Sequence, residues 1–94
     1  MTLTRDAAEM IGLQAVAWLA GEDELLPVFL GSTGASEREF RENLQDPDFQ
    51  GAVLDFLMMD DAWISAFCEA AGLGYEAPRQ ARVMLPGGAE THWT

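Results

Sequence analysis

Two clusters of carboxylates, Glu22-Asp23-Glu24 and Asp60-Asp61, are the residues of this chain best suited by type and spacing to do chemistry. Neighbouring acids can share a proton as general acid and base, or hold a divalent cation. Each cluster also stands where a predicted helix begins. There a carboxylate has a structural use, accepting hydrogen bonds from the free N–H groups of the first turn and opposing its positive end. Capping is the simpler expectation for both. His92 stands alone near the end of the chain, without a serine, cysteine or metal-ligand partner at a meaningful spacing, and reads as a solvated histidine. Cys68 falls on the apolar face of a predicted helix, where burial disfavours the reactive thiolate. Gly87-Gly88 follows no strand, so it reads as a helix terminator and not as a phosphate loop. No catalytic, cofactor-binding or metal-ligating residue is assigned, and the chain is read as non-enzymatic.

Two further groups suit recognition. Arg38/Arg41 and Arg79/Arg82 are pairs three residues apart, so both guanidinium groups of a pair leave one face of a helix. Their simplest use is to hold acids of neighbouring helices; the other is to dock an acidic or phosphorylated partner. Met58, Met59 and Trp63 surround the Asp60 corner and cannot all face one core. An exposed patch there would suit a partner helix or self-association, with ordinary core packing as the alternative. Met58, Met59, Trp63, Arg79 and Arg82 are therefore the candidate partner-binding residues.

The elements that position these residues are helices. Between Gly51 and Gly74, Val53, Phe56, Leu57, Ile64, Phe67, Cys68 and Ala71 recur at three- and four-residue steps, as one helical face requires. Asp60 and Asp61 divide the stretch into helices at roughly 48–59 and 61–71, with one continuous helix of about 20 residues as the alternative. Gly72 closes it in the left-handed conformation usual after a helix C-terminus. Upstream, Thr4 caps a first helix at about 5–20, which is apolar between Met10 and Ala20 except for Gln14 and should be buried on several sides. A short second helix carries Leu25, Leu26, Phe29 and Leu30 and ends at Gly34. Ser36 and Glu39 form a capping box opening a third helix at about 36–45, and Asp46-Pro47 starts the fourth. A sixth runs from Glu76 to about Leu85, leaving residues 89–94 as a flexible tail.

The 94 residues, 49% of them hydrophobic, suffice for one core and not two, so residues 1–88 are read as a single domain. Sixteen acids against five arginines give a net charge of -11, and there is no lysine. Direct nucleic-acid binding is disfavoured, because phosphate contacts draw their affinity from basic side chains that release counterions. Such charge suits a soluble protein or one that meets a basic partner. A transmembrane reading fails at Asp55, Asp60, Asp61 and Glu69, each costing about 2.5 kcal/mol or more at a bilayer centre. One cysteine allows no internal disulfide, and the N-terminus lacks the basic and apolar regions of a secretory signal, so a cytoplasmic location is expected.

Sliding the chain on itself places Leu19, Asp23, Phe29, Gly34 and Arg41 on Leu57, Asp61, Phe67, Gly72 and Arg79, each pair 38 residues apart. This suggests two three-helix repeats, 8–45 and 46–85, closing on each other; shared helical punctuation gives the same pattern without duplication.

The run TGASEREFRENLQDPDFQGAVLDFLMMDDAWISAFCEAAGL, with the later ARVMLPGG, resembles a small alphaproteobacterial helical family, the domain of unknown function 3572, over about Ala8 to Gly88. Asp-Pro-x-Phe, VLDFL, AFCEAAGL and LPGG carry the likeness. Where the family usually has Ser-Pro-Glu after the middle glycine, this chain has Ser36-Glu37-Arg38, which keeps the cap and drops the proline. The resemblance implies a helical fold and carries no activity or site. The sequence thus describes an all-α bundle of about six helices acting as a protein–protein interaction module, meeting an unknown partner or a second copy of itself. Two other readings stay open: an accessory subunit or small enzyme using the acidic corners, and an acidic partner of a basic nucleic-acid-binding protein.

Overall fold

Six helices, four of them opened by a side-chain cap, make up a computed structural model that describes residues 3–86: α1 (Arg5–Ala20), α2 (Leu25–Thr33), α3 (Glu37–Glu42), α4 (Pro47–Met58), α5 (Asp61–Ala71) and α6 (Ala77–Met84). The Thr4 hydroxyl accepts from the Ala7 N–H at 3.0 Å. Ser36 and Glu39 exchange bonds of 3.1 and 2.8 Å in the predicted capping box, satisfying two free donors reciprocally. Asp46 caps α4 ahead of Pro47. The apolar stretch at the centre of the sequence breaks at Asp60, whose Oδ1 accepts from the N–H groups of Ala62 and Trp63 at 2.8 and 3.2 Å. Gly34 and Gly72 end α2 and α5 at φ values of 80° and 71°, a conformation that costs other residues strain. Gly21 ends α1 without it, at φ −93°.

Helices α1 and α4 lie together with α6 packed across both, while α5 rests on α4 and α1. Their facing sides bury Ala8, Ala15, Val16 and Leu19 of α1, Val53, Leu54 and Leu57 of α4, Phe67 and Cys68 of α5, and Ala81 of α6. Phe29 joins α2 to this core through edge-on contacts with Phe40, Phe49 and Phe56, at centroid distances of 5.8, 5.8 and 5.2 Å. Such edge-to-face pairs add about 0.5–1.5 kcal/mol each beyond the area they bury. Among the described residues there is no strand, and no helix is long and apolar enough to cross a membrane.

Two expectations are corrected. The third helix is shorter than 36–45, because Asn43 turns the chain: its side-chain Nδ2 donates to the Glu39 carbonyl at 2.8 Å. Pro47 then favours the extended conformation that Asp46 adopts before it. Helix α1 is buried on several sides, as expected, and leaves one stripe bare, where Met10 is 58% exposed and Gln14 and Ala17 are open as well. Finally, the two predicted three-helix units share their punctuation but not the placing of their third members. Helix α6 packs on α1 and α4, whereas α3 stands outside the main helix contacts and is anchored by Phe40.

Candidate functional site

The acidic clusters come apart once folded. Asp60 is occupied as a cap. Glu22 and Glu24 are not: α2 begins with no side-chain cap, its first turn being closed by the Leu26 N–H donating to the Glu22 carbonyl at 3.0 Å. The expectation that this cluster caps a helix is therefore corrected. Both carboxylates instead line a shallow hollow of about 340 Å³ between the end of α1, α2 and α5, otherwise walled by Trp18, Leu25, Val28, Ala62, Trp63 and Ala66. Asp61 lines a different hollow of about 210 Å³ with Met58, Ile64, Ser65, Tyr75 and Arg79. The two corners share no hollow, and among the described residues no three His, Cys, Asp or Glu are placed to hold a metal ion.

Of the candidate partner-binding residues, Met58 and Arg79 come together in the smaller hollow and the other three are dispersed. Trp63 is half-buried and stacked on Phe56 at 4.8 Å, with its outer side on the larger hollow. Met58 packs partly on the core and opens on the smaller hollow. Met59, the residue after α4, is 77% exposed and lines neither. Arg82 is turned inward at 17% exposure, its Nε and Nη2 donating to Asp55 Oδ1 and Oδ2 at 2.8 and 3.0 Å and its Nη1 to the Pro86 carbonyl at 2.9 Å. This bidentate pair ties α6 to α4, which is the use expected of such arginines. Arg38 and Arg41 depart from it: they meet Glu42 and Glu37 of their own helix at 3.7 and 3.8 Å in open solvent. Arg79 is exposed and, among the described residues, in no ion pair.

Cys68 is buried, its thiol donating to the Gly74 carbonyl at 3.7 Å; burial, and after it the charge of Glu76, pushes the thiol pKa up. Tyr75 donates to Glu69 Oε2 at 3.3 Å, and that carboxylate raises its pKa. His92 and the 89–94 tail lie outside the described residues.

The surface that sequence reasoning missed is a trough. A second hollow of about 330 Å³ lies beside the first between α1 and α5, lined by Gln14, Ala17, Trp18, Phe67, Ala70 and Ala71. Trp18 forms a wall of both. One signal was present in the sequence: Ala62, Ala66 and Ala70 recur every fourth residue on the outer side of α5. What the trough can do chemically is bury apolar surface beside carboxylates.

A family profile described as "Protein of unknown function (DUF3572)" matches residues 5–88. No curated protein and no solved structure matches the chain.

Proposed function

We propose that this chain, which belongs to the DUF3572 family, is a non-enzymatic interaction module that holds a basic segment of another protein. The observation that carries the reading is where the positive charge lies. Its five arginines are at positions 5, 38, 41, 79 and 82, so no basic residue occurs over 6–37 or 42–78. Four of the five are already engaged, Arg5 with Glu9, Arg38 with Glu42, Arg41 with Glu37 and Arg82 with Asp55. The turn before α2, with Glu22, Asp23 and Glu24, and helix α5, with Asp61 and Glu69, therefore present carboxylates with no cation of their own segment, and only Arg79 of α6 shares a hollow with one of them, Asp61; the field attracts basic segments and repels acidic ones. A chemical role for the acidic corners has less support, since Glu22 and Asp61 open on separate hollows and Asp60 is bound to backbone.

The test uses two peptides of about 14 residues with the same amphipathic spacing, one of leucine and lysine and one of leucine and glutamate, long enough to fold as helices on binding. Titration calorimetry at about 50 and 250 mM salt is expected to show the cationic peptide binding, more weakly at the higher salt, and the anionic peptide not binding. Equal binding of both, or of neither, overturns the reading.

A further inference from the structure

Helix α5 packs on α4 and α1 with one side and leaves the other to the trough, whose floor is unusual in offering both large and small apolar groups. Trp18 and Trp63 are half-buried, held by Phe67 at 5.9 Å and Phe56 at 4.8 Å, so their rings are fixed before any partner arrives. Val28 on the α2 wall is 48% exposed. Between them Ala62, Ala66 and Ala70 are exposed at steps of four, the spacing of a helical ridge, and their small side chains admit another backbone closely. We propose that the trough seats the apolar ridge of an amphipathic helix that carries lysine or arginine on its flanks. This deepens the function argued above and rests on it, adding the surface and the form of the partner.

The choice of occupant follows from charge and length. Glu22 and Glu24 stand at the α2 end of the trough. A second copy of the chain would bring another net charge of -11 to that rim, whereas a basic helix would neutralise it. From Ala62 to Ala71 the α5 wall extends about 14 Å at 1.5 Å per residue, which matches two and a half turns of a partner helix. Apolar residues at i, i+3 or i+4 and i+7 of that helix would then fall between the two tryptophans and along the alanines.

The experiment titrates the leucine–lysine peptide, and a scrambled peptide of the same composition without an apolar face, into the wild type, Ala66→Gln and Ala52→Gln. Glutamine at position 66 fills the trough without changing charge, and Ala52 is exposed on α4 outside it. The expected result is binding of the amphipathic peptide that Ala66→Gln weakens about tenfold or more and Ala52→Gln leaves intact, with the scrambled peptide weaker throughout. Circular dichroism confirms that both variants stay folded. Binding that Ala66→Gln does not weaken overturns the trough while leaving the module reading standing. Failure of the wild type to bind overturns both. A concentration-dependent dimer in light scattering, lost in Ala66→Gln, makes a second copy the occupant and overturns the basic helix.

Discussion

Arg82 joins three parts of the fold at once, with both oxygens of Asp55 on α4 and the Pro86 carbonyl after α6 all bound to one guanidinium. Three charge-assisted bonds at a side chain only 17% exposed make it the polar contact whose loss should be felt most. Arg82→Ala is expected to cost about 2 kcal/mol in chemical denaturation, and Arg82→Lys most of that, because an ammonium cannot reproduce the fork. Gly51 gives a sharper test. A Cβ there would stand 2.8 Å from Arg82 Nη1 and 2.9 Å from Cζ, so alanine must displace the guanidinium. Gly51→Ala should therefore destabilise the wild type by about 1 kcal/mol, yet stabilise Arg82→Ala by about 0.5–1 kcal/mol through helix propensity alone. The same sign in both backgrounds would show that the two residues do not compete for space. Cys68 supplies a pH dependence. With its thiol raised above the ordinary value of 9.0, the unfolded chain ionises first, so this stability is whole below about pH 9 and declines above it. Thermal melts from about pH 7 to 10 should fall more steeply at the alkaline end for the wild type than for Cys68→Ala; parallel curves would remove Cys68 as the cause.

The helices were legible in the sequence wherever a few adjacent residues settle them. Asp60 shows why: a carboxylate one residue before the helix satisfies two backbone donors regardless of what surrounds it. Asp60→Ala should cost about 1 kcal/mol and Asp60→Asn a few tenths, while Glu24→Gln, at a helix start with no side-chain cap, should change stability little. A large loss from Glu24→Gln would give that carboxylate a structural bond absent from the fold described. Glu22 and Glu24 misled as caps because composition at a helix start cannot reveal which carboxylate turns back onto the backbone. For contacts between distant residues the sequence showed at most a role, as for Arg82, and never the partner. The Arg82–Asp55 pair spans 27 residues, and the trough assembles Trp18, Val28 and Ala66 from three helices. Gly12 belongs with them. A Cβ there would lie 2.8 Å from the Gln50 Cβ, so it sets how closely α1 meets α4. Because that obstacle is the stem of a buried side chain and not a flexible end, Gly12→Ala is expected to cost about 1–3 kcal/mol despite alanine's helix preference. Gln50 is fixed there by its Nε2, which donates to the Leu44 carbonyl at 3.1 Å.

The uncompensated charge acts on the whole molecule, and its two consequences respond to salt with opposite signs. The described residues extend 34 × 30 × 23 Å. At about 0.01 M salt the screening length is about 30 Å, so carboxylates on all sides repel one another through the net charge of -11. Among the described residues, three of the four ion pairs are exposed contacts, each within its own helix and worth about 0.3–0.5 kcal/mol, so screening them away sacrifices little. Relief of repulsion should dominate. Raising sodium chloride from about 0.01 to 1 M is expected to raise the melting temperature by several degrees, about 4–8 °C for each kcal/mol relieved in a domain of this size. Chloride is the proper salt, because sulfate would strengthen apolar burial by itself. Over the same range the affinity for the leucine–lysine peptide should fall, since the field that strains the free protein is the one that draws a basic helix to the α2 and α5 faces. A melting temperature that falls with salt would mean the carboxylates are paired more fully than the four ion pairs provide. The acidic rim of the trough would then be spent within the fold, and the reason for expecting a basic partner would go with it.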